Sequence, residues 1–226
     1  MADKPITFFG PMVNALLAGR KTQTRRLVPK LFQDEESLTT CVNSKTGKLC
    51  YAGTNPQGVD WIWDVSPYLR YAPGDRLWVR EHWRTADAYD DLSPSQMGGE
   101  EPVIYLADDT LETWGWRNDF VPGRFRQAMH IPRWASRLTL TVTDVRVQRL
   151  QEISAADSIA EGVQCGTCEF MNTSACNGRG CFASIAAFQA LWNSLHGPGA
   201  WDANPWVAAY TFTVRHGNID TQGGPQ

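Results

Sequence analysis

The sequence predicts an α+β fold built on a curved sheet, and two observations lead to this fold class. The order of elements along the chain is strand, helix, strand, insertion, strands, helix, helix and strand, which is typical of a mixed α/β or α+β domain. The 226 residues are 42% hydrophobic and 20% charged, so the chain is long enough to bury a core within one domain that carries insertions.

The first elements are a strand and a helix, followed by a basic turn. The run from Ile6 to Phe9 is β-type, and Pro11 then occupies the position that suits the first residue of a helix. Apolar residues recur at helical spacing after it, namely Met12, Val13, Leu16 and Leu17. Gly19 ends this helix, and residues 20–26 are predicted to form a basic turn.

The middle of the chain holds one clear strand between two insertions. Residues 31–71 have a weak pattern, apart from hairpin-turn residues between Cys41 and Cys50. Residues 76–81 alternate like a strand with one buried face. Residues 85–123 are rich in Asp, Gly and Trp, which predicts an irregular insertion.

The last third of the chain has the clearest regular pattern. Residues 137–150 are rich in Val, Leu and Thr and predict a strand, with a bend or turn at Asp144. Ser154 with an acid three residues later is a helix N-cap signature, and this short helix ends at Gly162. Two further elements are predicted, an amphipathic helix over 182–195 and a strand over 206–214.

These elements predict a single domain over residues 1–216. Insertions are expected at about 31–71, 85–123 and 164–181, and residues 217–226 are expected to be a flexible tail.

The charge balance restricts the classes of partner. Lys and Arg number 21 against 24 Asp and Glu, which gives a net charge of −3 and excludes a globally basic nucleic-acid binder, although not a local basic patch. No apolar run approaches the roughly 20 residues that span a bilayer, and the N-terminus has no signal-peptide pattern. We therefore expect a cytoplasmic protein with no membrane partner and with reduced cysteines.

Four of the six cysteines form a group with close spacing in a segment rich in Gly and Asn. They are Cys165, Cys168, Cys176 and Cys181. Two close Cys pairs are able to wrap a tetrahedral zinc ion, and four thiolates would make the site structural. Free thiols and adventitious disulfides are the alternatives at this stage. No cofactor is expected for catalysis.

The string from Gly19 to Arg26 reads Gly-Arg-Lys-Thr-Gln-Thr-Arg-Arg. It resembles the Gly-x-Lys-x-x-Glu-x-Arg signature of the ASCH superfamily, with Thr24 in the acidic position, as in the bacterial N4-acetylcytidine amidohydrolase branch. The chain is also similar to the larger phage- and prophage-encoded ASCH proteins, with which it shares the runs 132–137 and 201–206. The resemblance implies a PUA-like β-barrel flanked by helices.

The resemblance also implies that Lys21, Thr24 and Glu161 are catalytic. A hydroxyl is a weak nucleophile that needs a base, and a Lys amine is a base only if burial or nearby positive charge lowers its pKa. We therefore expect Thr24 to attack an acyl carbonyl with Lys21 as base and Glu161 assisting proton transfer. Direct activation of water by the same groups is an alternative.

The expected reaction is hydrolysis of the linear amide of N4-acetylcytidine or of related N4-acylated cytosine nucleosides. Arg26, Trp78 and Glu81 are expected to bind the substrate, Trp78 by stacking. The alternative function is an RNA- or DNA-binding ASCH module, with weak ribonuclease action, in phage biology. In that case the basic residues from Arg20 onward would contact the phosphates of a single strand. From the residues alone, a solvated basic turn capped by Thr24 is the favoured interpretation of the string, and the resemblance reverses that preference.

Overall fold

The computed structural model describes residues 3–28, 39–42, 49–54, 60–64, 69–112, 121–163 and 182–222. Within these residues the fold is mixed α+β, with three α-helices and three sheets. The helices are α1 (Gly10–Leu17), α2 (Ala155–Ala160) and α3 (Phe182–His196). The strands are β1 (Asp3–Thr7), β2 (Gln23–Leu27), β3 (Thr39–Val42), β4 (Leu49–Thr54), β5 (Asp60–Asp64), β6 (Arg76–Arg80), β7 (Trp83–Arg84), β8 (Val103–Tyr105), β9 (Thr110–Glu112), β10 (Leu138–Arg149) and β11 (Trp206–His216).

The largest sheet has five strands in the order β1-β6-β10-β11-β2. Two smaller antiparallel sheets have the orders β3-β4-β5 and β7-β8-β9. The chain forms two compact units, the first of residues 1–19, 74–141 and 213–226 and the second of residues 20–73 and 142–212.

In the first unit, β1 lies parallel to β6, with Asp3 opposite Arg76, and β6 lies antiparallel to the start of β10. Its core combines three aromatic side chains with five aliphatic or Met side chains, namely Trp78, Trp83, Met97, Val103, Tyr105, Ile131, Ala135 and Ile219. Residues 217–222, which the sequence predicts to be flexible, are packed here. Ile219 is buried, and the Asn218 amide donates to three backbone carbonyls.

In the second unit, β2 lies antiparallel to β11, with Thr24 opposite Tyr210. Its core consists of Leu150, Ile153, Phe188, Trp192, Trp201 and Val207. The prediction of a turn over residues 20–26 is therefore wrong for its second half. Four of the five side chains of residues 23–27 are polar, yet these residues form a strand because β11 supplies backbone hydrogen-bond partners along their whole length.

Several predicted elements are confirmed by the structure. The helix after Pro11 runs over Gly10–Leu17, and the Ser154 hydroxyl accepts a hydrogen bond from the Asp157 backbone N–H at the start of α2. Gly162 has a φ of 90° directly after α2, a left-handed conformation that favours glycine. Asp144 does not interrupt its strand, because β10 is continuous over twelve residues.

The insertions hold more strands than the sequence predicts. In residues 31–71, β3 and β4 bring Cys41 opposite Cys50, as the hairpin prediction requires, and β5 adds a third strand. In residues 85–123, β8 and β9 are short strands among 3-10 turns. None of the described helices is both long enough and apolar enough to cross a membrane.

Candidate functional site

The side chains of Lys21 and Glu161 meet in the second unit. Lys21 is only 2% exposed. Its ammonium group donates to the Glu161 carboxylate (Nζ to Oε2, 2.8 Å), to the Glu161 backbone carbonyl (2.7 Å) and to the Gln23 backbone carbonyl (2.9 Å). A buried charge needs a partner and further hydrogen bonds, and Lys21 has both.

Local structure brings these two residues together. The Ser154 cap starts α2, which ends at Ala160, so Glu161 occupies the C-cap position. The backbone N–H of Thr22 donates to the carbonyl of Ala160 (2.8 Å), which fixes the start of β2 against the end of this helix. Lys21 directly precedes Thr22 and Glu161 directly follows Ala160, so this hydrogen bond brings the two residues close together. The structure thus brings together two of the three residues that the resemblance implies to be catalytic, and their catalytic roles remain predictions.

Arg25 joins the same carboxylate and was missed by the sequence analysis. Its guanidinium is fully buried and donates to Glu161 Oε1 (3.0 Å), to Asp157 Oδ2 (3.2 Å) and to Gln23 Oε1 (2.6 Å). Gln23 and Arg25 alternate with Thr24 along β2, so both side chains reach the face that α2 covers. The sequence of this strand has no alternation of polar and apolar residues that could have indicated the role of Arg25, because four of its five residues are polar.

The environment of Lys21 lowers the pKa of its amine below the ordinary value of 10.5. Burial is the largest cause, since it disfavours the charged form, and Arg26 and Arg25 act in the same direction. The Glu161 carboxylate opposes this shift. Lys21 therefore does not belong to a solvated basic turn. Its amine is desolvated and lies next to two guanidinium groups and one carboxylate.

Thr24 lies on the other face of β2. Its neighbours on that face are Arg26, two residues along the strand, and Tyr210, its direct partner on β11. Thr24 is 4% exposed and Arg26 is half-buried. The ring of Tyr71 meets the ring of Tyr210 edge-on at 5.1 Å, and burial raises the pKa of Tyr210 to about 12.

The two other residues predicted to bind substrate belong to the first unit. Trp78 is buried in the core of that unit, with the Arg80 guanidinium 4.4 Å from its ring centroid. Both carboxylate oxygens of Glu81 accept hydrogen bonds from Arg137 (2.9 Å each), which also contacts Asp108. This geometry is that of a structural ion pair. The roles of Trp78 and Glu81 in binding remain predictions.

The four predicted zinc ligands, Cys165, Cys168, Cys176 and Cys181, lie in residues 164–181, outside the described residues. Within the described part of the chain, three or more His, Cys, Asp or Glu side chains nowhere gather closely enough to hold a metal ion. The zinc site remains a prediction.

No family model, curated protein or solved structure matches this chain. The site is therefore argued from its own geometry.

Proposed function

We propose that the protein is an amidohydrolase with an ASCH-type, PUA-like fold, and that it removes the N4-acyl group of N4-acetylcytidine or of a related N4-acylated cytosine nucleoside. The observation that carries the proposal is the buried Lys21 amine, whose pKa is lowered and whose position is fixed by Glu161. A general base needs a neutral form, and the direction of the pKa shift of Lys21 favours that form relative to a solvated lysine.

The proposed reaction begins with the neutral amine of Lys21. The amine takes the proton of the nucleophile as the nucleophile's oxygen bonds to the acyl carbon. Because strand alternation separates the Thr24 side chain from the face that carries Lys21, a water molecule is the favoured nucleophile and the Thr24 hydroxyl is the alternative. The bond from the acyl carbon to N4 then breaks, and N4 receives a proton from Lys21 with the assistance of Glu161. If Thr24 is the nucleophile, water hydrolyses its ester and restores the hydroxyl. The products of either route are the cytosine nucleoside and the carboxylic acid.

Arg26 is the predicted substrate-binding residue that lies closest to this chemistry in the sequence, and it acts electrostatically on both Lys21 and Glu161. The burial of Lys21 and Arg25 in ion pairs counts against their binding the phosphates of a nucleic acid, because neither cation is presented to solvent. RNA or DNA binding stays the alternative, and a titration without salt-dependent binding of a single strand would count against it.

The test is chromatography of N4-acetylcytidine after incubation with the wild type and with three variants, Lys21→Met, Thr24→Ala and Glu161→Gln. Loss of the base is expected to lower the rate by about 10² to 10⁴-fold. Arg20→Gln is the matched control, since Arg20 is an exposed cation in the same string. Circular dichroism checks that each variant is folded.

The hydrolytic activity of the wild-type protein decides whether the proposal is correct. If it leaves N4-acetylcytidine and longer N4-acyl cytidines intact at micromolar protein, the proposed activity is wrong. If it is active, mass spectrometry of the quenched enzyme separates the two routes, because an acyl group on the Thr24 peptide would appear only in the covalent one.

A further inference from the structure

Five side chains of alternating charge lead from the surface of the second unit to the buried amine of Lys21. We call them the charge chain, and from the surface inward they are Arg146, Asp157, Arg25, Glu161 and Lys21. The contacts between successive members measure 3.1, 3.2, 3.0 and 2.8 Å. The exposed fraction of the side chain falls from 44% at Arg146 to 19% at Asp157 and to 4% or less at the other three. Ionic contacts therefore connect solvent with the proposed base.

The helix α2 and the guanidinium of Arg25 build the inner half of the charge chain. The Glu161 backbone N–H donates to the Asp157 carbonyl (2.9 Å), so the two residues are one helical turn apart and their side chains lie on the same face. Arg25 bridges these carboxylates with one nitrogen on each. Because a guanidinium is planar, such a bridge fixes both partners in orientation. Glu161 is thus held at Oε1 by Arg25 while its Oε2 accepts from Lys21.

Gln23 holds the charge chain in place from β2. Its amide oxygen accepts from Arg25 (2.6 Å), and its amide nitrogen donates to Asp157 (3.2 Å) and to the Thr211 hydroxyl on β11 (3.2 Å). The backbone carbonyl of Gln23 accepts from Lys21. One residue therefore restrains three members of the charge chain, so that a change of charge at one of them acts on the others at nearly fixed distances.

The members of the charge chain act on one another electrostatically. Burial acts to raise the pKa of Asp157, yet the two cations beside it hold that pKa below the ordinary value of 3.8, so this group is a carboxylate at neutral pH. At Lys21, burial lowers the pKa, Glu161 at the end of α2 opposes this, and Arg26 and Arg25 on β2 reinforce it. Arg25 therefore acts on the amine in two ways, as a like charge and as a second claimant on its carboxylate.

We propose that Arg146, Asp157 and Arg25 are positioning residues that hold Glu161 and set the protonation of the Lys21 amine. This inference rests on the proposed amidohydrolase function only for the use of Lys21 as the base. The anion of Asp157 offsets the charge of Arg25, so its loss should favour the neutral amine. The loss of Arg146 leaves Asp157 more fully available to Arg25, which should favour the charged amine. A general loosening of the structure would not produce opposite effects at two neighbouring positions.

An NMR pH titration of the full chain, with isotope-labelled lysine, measures the protonation of Lys21 without any substrate. The chain has only five lysines, and Lys21→Met assigns the signal. At a fixed pH below the titration midpoint, we expect the neutral fraction of Lys21 to be about tenfold higher in Asp157→Asn and about twofold lower in Arg146→Gln. The second effect is smaller because Arg146 is exposed and solvent screens its charge.

Arg20→Gln is the matched control. Arg20 is exposed and directly precedes Lys21, but its guanidinium donates to the backbone carbonyl of Gly162 (3.4 Å) and it is not a member of the charge chain. Its loss should change the neutral fraction less than the loss of Arg146 does. When Arg146→Gln is added to Asp157→Asn, no further change is expected, because the contact that transmits it is already gone.

Two results of the titration would overturn the proposal. One is an effect of Arg20→Gln as large as that of Arg146→Gln, which would reduce the charge chain to a general response to surface charge. The other is a change of the same sign in Asp157→Asn and Arg146→Gln. Arg146→Gln replaces an exposed side chain, so this variant tests the proposal even if Asp157→Asn does not fold.

Hydrolysis assays separate a failure of this inference from a failure of the proposed function. The pH profile of kcat/KM is expected to move to lower pH in Asp157→Asn and to higher pH in Arg146→Gln. Opposite changes in the NMR titration without hydrolysis by the wild type would support the charge chain and reject the activity. Hydrolysis by the wild type, with an NMR titration that Arg146→Gln leaves unchanged, would reject the charge chain alone.

Discussion

Replacing Glu161 with Gln tests how much of the stability depends on the buried charge network. The side chain of Glu161 is 4% exposed and accepts hydrogen bonds from two buried cations, Lys21 at 2.8 Å and Arg25 at 3.0 Å. Gln has nearly the same shape and carries no charge. The substitution therefore leaves packing almost unchanged and removes the common counterion of both cations.

The loss in the free energy of unfolding depends on which hydrogen-bond acceptors each cation keeps in the variant. Arg25 keeps its contact with Asp157, and Lys21 keeps two backbone carbonyls. Breaking a buried ion pair by removing one partner typically costs about 3–5 kcal/mol. Because both cations keep other acceptors, we expect Glu161→Gln to lower the free energy of unfolding by about 3 kcal/mol, at the lower end of that range.

Urea denaturation followed by tryptophan fluorescence measures this change, with the wild-type and variant m-values compared. Asp144→Asn is the matched control, because Asp144 is 57% exposed and its contact with Arg146 spans 3.5 Å. An exposed pair of this kind contributes at most about 1 kcal/mol. In the double variant Lys21→Met/Glu161→Gln the loss should be smaller than the sum of the two single losses, since one unpaired cation is gone. A loss below about 1 kcal/mol in Glu161→Gln would refute this account of the network.

Four other outcomes are expected. The rate of amide hydrolysis should rise with pH around a value below 10.5, because the base is the neutral amine of Lys21 and its pKa is lowered; a pH-independent rate would contradict this. Arg137→Lys should reduce the free energy of unfolding by about 1–3 kcal/mol in urea, because lysine cannot replace a guanidinium that bridges two carboxylates. The pKa of Tyr210 is raised to about 12 in the folded protein. Its neutral side chain therefore contributes to the free energy of unfolding in full below pH 10, and this contribution is lost between about pH 10 and pH 12. Tyr210→Phe should flatten the wild-type fall in stability over that window. Elemental analysis should find near one zinc per chain, bound by the cysteines of residues 164–181, and a content below about a tenth of that would reject the site.

Local signals in the sequence predicted most elements in the second half of the chain. The Ser154 cap and Gly162 delimited α2, because a cap and a left-handed glycine act within a few residues of the helix they bound. The run rich in Val, Leu and Thr was sufficient to predict β10, and helical spacing was sufficient to predict α3. Glu161 could be placed near Lys21 only through the resemblance, since no local pattern links two residues that are far apart in the chain.

The strand β2 could not be predicted from its own residues. Four of its five side chains are polar, which is typical of a turn, and its strand conformation depends on pairing with β11 nearly two hundred residues later. Arg25 was missed for the same reason, because its role follows from the strand's alternation. Non-local pairing of this kind leaves little trace in one segment.

Strand alternation gives the basic string two different roles. Gln23 and Arg25 face α2 and, with Lys21, hold Glu161. Thr24 and Arg26 face the opposite way, towards Tyr210 and the aromatic side chains around it. One face therefore sets the charge and position of the proposed base, and the other carries the Thr24 hydroxyl and the Arg26 guanidinium. The two roles depend on the strand conformation as well as on the residues, because a turn over the same positions would not place Gln23 and Arg25 on one side and Thr24 and Arg26 on the other.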